Sequence, residues 1–211
     1  CALPILTKTI EFLFDCVSPN AYLVWHPLQD VIERTDANLR ITPVFLGGMH
    51  KLTGNAPPMI RDKDVQGKVA YSTIEMQRFI ARHQLDRFTM HPQFPFNSVT
   101  LQRMLLAVDE QARARLVDVL LLALWEDGLP VEDPSALAGR IEAAGFDAKA
   151  LLAATQDSTI KQRLIDNTSA AVDRGAFGIP TFFVDRGEGE QIYFGKERLD
   201  QIGNYLAGGP A

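Results

Sequence analysis

The sequence predicts an α/β fold in which both ends of the chain share one small sheet and a large helical block lies between them. Three observations predict it. Residues 9–46 read as strand, helix, strand; the middle of the chain carries only helical periodicity; the end returns to two short apolar runs and one amphipathic helix.

"TIEFLFD", Thr9 to Asp15, is an apolar, aromatic-rich run of strand length, suited to a central strand. Ser18 fits the cap of the next helix, and Pro19 its first turn, where a missing N–H does no harm. That helix is predicted to run from Pro19 to about Thr35, with a kink at Pro27. "NLRITPVFL", Asn38 to Leu46, reads as a second strand, and Pro43 puts it at an edge or a bulge. Gly47 to Pro58 reads as a loop. Helical stripes follow at Met76, Phe79, Ile80 and His83, then Leu101, Met104, Leu105 and Val108, then Leu116, Val119, Leu120, Ala123 and Leu124. Asp133-Pro134 starts a shorter helix ending near Gly145, and Asp147 is a candidate cap of another. Ser158 is read as the cap of one more, bearing Ile160, Leu164, Thr168 and Ala171 and stopping at Gly175. "PTFFV", "DRGEGE" and "QIYF" form a hairpin signal, and "KERLDQIGNYLA" closes as an amphipathic helix. Assembled, residues 1–52 and 174–211 make a thioredoxin-like α/β domain, and residues 53–173 an all-helical insertion domain.

The totals exclude several classes. At 211 residues the chain suits one domain, or a core with one insertion. A net charge of −5 gives no electrostatic support for binding nucleic acid or an anionic membrane. No apolar run reaches the roughly 18 residues of a membrane span, and the apolar part of "CALPILTKTIEF" is too short for a secretory signal. Cys1 and Cys16 have no disulfide, redox or metal spacing, so a reduced cytoplasmic location is expected. His26, His50, His83 and His91 show no ligand spacing, and no metal site is expected. Phosphate-loop and Gly-x-Ser-x-Gly patterns are missing as well.

The chemistry sits in "FDCVSPNAYL". A thiol-disulfide enzyme would carry Cys-x-x-Cys at this strand-to-helix junction; here Ser18-Pro19-Asn20-Ala21 stands instead. The first and third strands should be antiparallel neighbours, which brings Ser18 beside the Ile179-Pro180 bond, proposed to be cis. Free N–H groups and partial positive charge at the helix start suit an anion, here a thiolate carried by another molecule. With a bond from the Ser18 hydroxyl, these terms lower a bound thiol's pKa by about one to two units. Ser18 is then a donor, not a nucleophile. Taken singly, Ser-Pro is a good cap, Gly-Ile-Pro-Thr an ordinary turn, and Cys16 a small buried residue.

With these residues in place, the chain resembles the glutathione-dependent branch of the DsbA-like thioredoxin superfamily. That branch holds kappa-class glutathione transferases and 2-hydroxychromene-2-carboxylate isomerases. The likeness rests on "FDCVSPNAYL", "LGGMHKLTGNAPP", "FPFNS", "WEDGLPVEDP", "GAFGIPTFFVD" and "FGKERLDQI", and it spans nearly the whole chain. The resemblance implies glutathione bound across one end of the sheet. Ser18 would contact its sulfur, and Ile179 backbone atoms, beside Pro180, would pair with its cysteinyl unit. Asn55, with Arg61 or Lys63, would hold its carboxylate end, and Glu197 beside Lys196 would accept its γ-glutamyl amine. Lys196 and Glu197 also read as a charged, solvated first turn, and "GNAPP" as a surface turn.

The implied activity is glutathione-dependent isomerisation of 2-hydroxychromene-2-carboxylate to trans-o-hydroxybenzylidenepyruvate, in aromatic catabolism. Lys51 and Arg61 are candidates for the substrate carboxylate, and Phe94 and Phe96 for its ring, although such residues are commonly surface charge and core. A kappa-like transferase or peroxidase uses the same Ser18. A non-catalytic binding or chaperone-like module is the third reading. Relatives of this kind imply a homodimer.

Overall fold

The computed structural model describes residues 7–210, so Cys1 and the start of "CALPILTKTIEF" lie outside the described residues. The chain opens with β1 (Thr9–Phe14), α1 (Pro19–Thr35) and β2 (Asn38–Pro43). The helices α2 (Leu46–Thr53), α3 (Pro58–Arg61), α4 (Lys68–Arg82) and α5 (Val99–Leu106) follow. Next come α6 (Glu110–Trp125), α7 (Pro134–Ala143), α8 (Ala148–Ala154) and α9 (Ser158–Asp173). β3 (Thr181–Asp185), β4 (Gln191–Phe194), a 3-10 turn (Lys196–Arg198) and α10 (Leu199–Leu206) complete it.

The four strands lie in the order β2-β1-β3-β4, with β1 parallel to β2 and antiparallel to β3. β2 is an edge strand, which accommodates Pro43 because no ladder bond is needed on its outer side. β1 is paired on both sides and buried from Ile10 to Phe14, as suits a run that is apolar apart from Glu11. Its alternate residues Ile10, Phe12 and Phe14 share one face, and Phe12 stacks on Phe182 of β3 at 5.1 Å. Because β1 and β3 are antiparallel, Leu13 pairs with Thr181, and the end of β1 meets the start of β3.

Four helices, α6 to α9, start on an aspartate whose side chain caps them. Asp133 accepts from Ser135 N at 2.9 Å and Asp147 from Ala150 N at 2.8 Å. α1 continues unbroken through Pro27. Four expectations need correction. Of the loop expected from Gly47 to Pro58, the part up to Thr53 lies in helix α2, which is capped by Gly54 in the left-handed region at φ 70°. Gly47 and Gly48 serve close approach, not a turn: an added Cβ would meet the Phe45 ring at 2.9 and 3.0 Å. The cap of α9 is Asp157, not Ser158, and it accepts from Thr159 N at 2.6 Å. α5 stops at Leu106, short of Val108, because Asp109 caps α6 by accepting from Ala112 N. The last helix begins as a 3-10 turn through Lys196–Arg198.

Candidate active site

The turn Asp15–Ser18 is built from neutral donors around one carboxylate. Ser18 N donates to Asp15 O at 3.0 Å. Val17 N donates to Asp15 Oδ1 at 3.1 Å, and Leu46 N to Asp15 Oδ2 at 2.7 Å. From the helical block, Gln102 of α5 donates to Phe14 O at 2.6 Å and Val44 O at 2.9 Å, and accepts from Cys16 N at 3.4 Å. Trp125 of α6 donates its indole N–H to Cys16 O at 2.9 Å. Backbone polar groups where three elements meet are thereby paired, as buried groups must be.

Ser18 holds the N-cap position of α1 with extended backbone, yet its hydroxyl does not cap the helix. It donates instead to Ile179 O at 3.4 Å, across 161 residues of sequence. No acidic side chain stands in the first turn of α1, so the positive end of the helix dipole is not neutralised there. The Ile179-Pro180 bond is cis. Ile179 N–H has no backbone acceptor among the described residues.

The segment Phe177–Pro180 gathers three groups of candidate residues. Ser18 reaches Ile179 O. Asn55, just past α2, donates its amide to Phe177 O at 2.8 Å. Gly195 N donates to Pro180 O at 3.0 Å, which places Lys196 and Glu197 at the same end of the sheet. Lys196 is buried, pairs with the Glu197 carboxylate, and lies 5.7 Å from the Phe79 ring centre. Burial corrects the reading of Lys196 as a solvated surface charge; Glu197 is exposed.

Other candidates lie differently. Arg61 is held by Asp62 through two 2.8 Å bonds, and Lys68 pairs with the same carboxylate at 3.0 Å. Arg61, and after it Lys68, holds the Asp62 carboxyl well below the usual range. Lys51 and Lys63 are exposed and form no ion pair among the described residues. Phe94 and Phe96 are half-buried, with ring centres 5.9 and 6.0 Å from that of Trp125. They back the indole that holds Cys16, so they meet the Asp15–Ser18 turn through Trp125.

Sequence reasoning missed Asp15, Gln102 and Trp125. Asp15 left a signal: a carboxylate closing an apolar strand three residues before Ser18. Gln102 and Trp125 left none, since each reads as an ordinary position on a helix. Complete burial pushes the Asp15 carboxyl up to about 6, against the N–H groups of Leu46 and Val17 and the nearby Ser98 hydroxyl. Burial, then the Asp15 charge, pushes the buried Cys16 thiol up, which leaves it an inert core residue.

A serine at the head of α1 facing an X-Pro bond at the head of β3 defines a thioredoxin-type protein without its own sulfur at that place. The chain belongs to the DsbA-like thioredoxin domain family, whose model matches residues 9–207. It is 28% identical to a 2-hydroxychromene-2-carboxylate isomerase of Sphingobium xenophagum, over 95% of this chain and 99% of that protein. It is 26% identical to glutathione S-transferase kappa 1 of Homo sapiens, over 95% of this chain and 92% of that one. A solved 2-hydroxychromene-2-carboxylate isomerase shares the fold, with a TM-score of 0.78 at 24% identity over 94% of each chain.

Proposed function

We propose that this protein is a glutathione-dependent isomerase acting on 2-hydroxychromene-2-carboxylate and trans-o-hydroxybenzylidenepyruvate. The observation that carries the reading is the Ser18 hydroxyl set against Ile179 O at the positive end of α1. At 3.4 Å that bond is long, so the hydroxyl can turn from the carbonyl to a sulfur anion at little cost. Ile179 N–H, without a backbone acceptor, suits the carbonyl of an extended peptide. Lys196 and Glu197 offer both charge signs, which fits a ligand bearing an ammonium and carboxylates. Asn55 with Lys63 takes the other carboxylate; Arg61 joins by exchanging Asp62.

Bound there, glutathione supplies a thiolate that adds to a conjugated carbon of the ring-opened substrate and leaves after the intervening bond has rotated. Ser18 and the helix end hold the sulfur charge before addition and receive it again after departure. Lys51 or Arg61 orients the substrate carboxylate, and Phe94 and Phe96 bound the side where its ring lies. No residue of the chain changes oxidation state, and glutathione is not consumed.

The test is incubation with glutathione and the chromene. Isomerisation without net loss of thiol is expected. A stable conjugate would favour the second reading, a kappa-like transferase, which the kappa-class relative supports. Failure to saturate at millimolar glutathione would favour a non-catalytic module. Ser18→Ala is expected to lower turnover about 10- to 100-fold with the fold intact, from loss of one charge-assisted bond; unchanged turnover overturns the role of Ser18.

The same reading places the protein in a reduced cytoplasm and takes 53–173 as an insertion domain on a thioredoxin-like unit. It also takes the protein as a homodimer. Exposed Leu52, Met59, Ile60, Val69, Tyr71 and Ile74 on α2–α4 support that last point, and sedimentation at micromolar concentration tests it.

A further inference from the structure

We propose that Asp15 is a positioning residue whose negative charge holds the two walls of the glutathione site together. The inference rests on the glutathione reading and goes one step further, to what keeps the site assembled. Asp15 Oδ1 accepts from Val17 N, in the turn that carries Ser18. Asp15 Oδ2 accepts from Leu46 N, the first residue of α2. The far end of α2 leads through Gly54 to Asn55, which reaches Phe177 O. One side chain therefore ties the sulfur-binding wall to the carboxylate-binding wall.

Its charge matters because an ionised carboxylate accepts at both oxygens, whereas a protonated one must donate from one of them. Each Asp15 oxygen faces an N–H, so protonation forfeits one of the two ties. The groups facing the carboxylate are few. Its own turn presents Val17 N–H and the Cys16 thiol, and α2 presents Leu46 N–H. α5 presents the buried Ser98 hydroxyl, which lies against Asp15 without full hydrogen-bond geometry. No arginine, lysine or histidine pairs with it among the described residues. With the carboxyl pushed up to about 6 by burial, the ties loosen as pH falls through that value.

The probe is γ-glutamyl-2-aminobutyryl-glycine, a glutathione analogue with a methyl group in place of the thiol. Between pH 5 and 7.5 its carboxylates stay charged and its amine protonated, so any step in affinity belongs to the protein. In the wild-type protein, calorimetry should find binding about tenfold weaker at pH 5 than at pH 7.5. His50 and His83 also titrate below their ordinary range, and Asp15→Asn separates their contribution. That variant should bind about tenfold more weakly at pH 7.5 and show no step, since an amide accepts at one end only. Binding that lacks the step in the wild type, or keeps it in Asp15→Asn, overturns this inference alone. No binding at any pH overturns the glutathione reading together with it. Should Asp15→Asn fail to fold, carbon-13 NMR of the Asp15 carboxyl in the ligand-bound wild type decides: a group that does not titrate between pH 5 and 7 overturns the inference.

Discussion

Two buried carboxylates stand four residues apart on and just after β1, and they are treated in opposite ways. Glu11 is met by Arg40 at 2.6 Å, Arg174 at 2.8 Å and the Thr42 hydroxyl at 2.6 Å. Burial pushes its carboxyl up, but those partners outweigh burial, Arg174 first, and hold it below the ordinary value. Asp15 is more deeply buried and meets only neutral donors, so burial wins and the carboxyl rises to about 6. Glu11 stitches the sheet to α9, with Arg174 also lying over the Phe183 ring at 3.6 Å. A charge kept for stability is paired; the unpaired one sits at the end of the sheet where Ser18 lies.

The largest expected effect comes from removing the neutral scaffold around Asp15. Gln102→Ala leaves Val44 O and Cys16 N without that partner in a buried place, and leaves Phe14 O with Val44 N alone at 3.0 Å. At about 1–3 kcal/mol for each unpaired group, a loss of about 4 kcal/mol is expected in urea denaturation. A loss below about 1 kcal/mol would mean that water replaces the amide, and that this end of the sheet is wetter than the Glu11 end.

The pH dependence of stability follows next, with opposite signs for the two groups. The Asp15 carboxyl is raised from 3.8 to about 6, so the folded state binds the proton more tightly than the unfolded one. Its contribution favours folding below about pH 4 and is lost as pH rises through 6, by about 3 kcal/mol. Glu11 is lowered from 4.5, so its contribution is present above that value and is lost as pH falls through the folded one. Subtracting the Asp15→Asn curve from wild type should reveal a fall between pH 4 and 6; a rise there would reverse the contrast. Glu11→Gln should cost about 2 kcal/mol at pH 7, less than a fully buried pair because the Arg40 side chain is 55% exposed.

Legibility in the sequence follows the same contrast. The strands, α1 and the meeting of Ser18 with Ile179-Pro180 were legible because apolar runs, caps and antiparallel geometry are local or follow from connectivity. α2 was misread because Gly47 and Gly48 look like loop punctuation, whereas they make room for the Phe45 ring. The burial of Lys196 was not legible, and its reading as a solvated charge failed, because burial against Phe79 depends on α4, far away in sequence. The supports of the Asp15–Ser18 turn were invisible for the same reason. Gln102 and Trp125 lie on helices whose stripes announce packing, and nothing local says that their polar atoms reach β1.

The smallest expected effect separates holding from packing. Trp125 does both: its ring gathers Phe88, Phe94 and Phe96, and its N–H reaches Cys16 O. Trp125→Phe keeps an aromatic ring in the cluster and deletes the donor, leaving the Cys16 carbonyl unpaired. A stability loss of about 1 kcal/mol is expected, measurable as a small shift in the urea midpoint. If the helical block acts on Ser18 through this bond, affinity for the thiol-free analogue should fall several-fold at every pH between 5 and 7.5. The step near pH 6 should stay where it is, because the Asp15 ties are untouched. A displaced step would mean that the indole tunes the carboxylate and is not merely a brace for the turn.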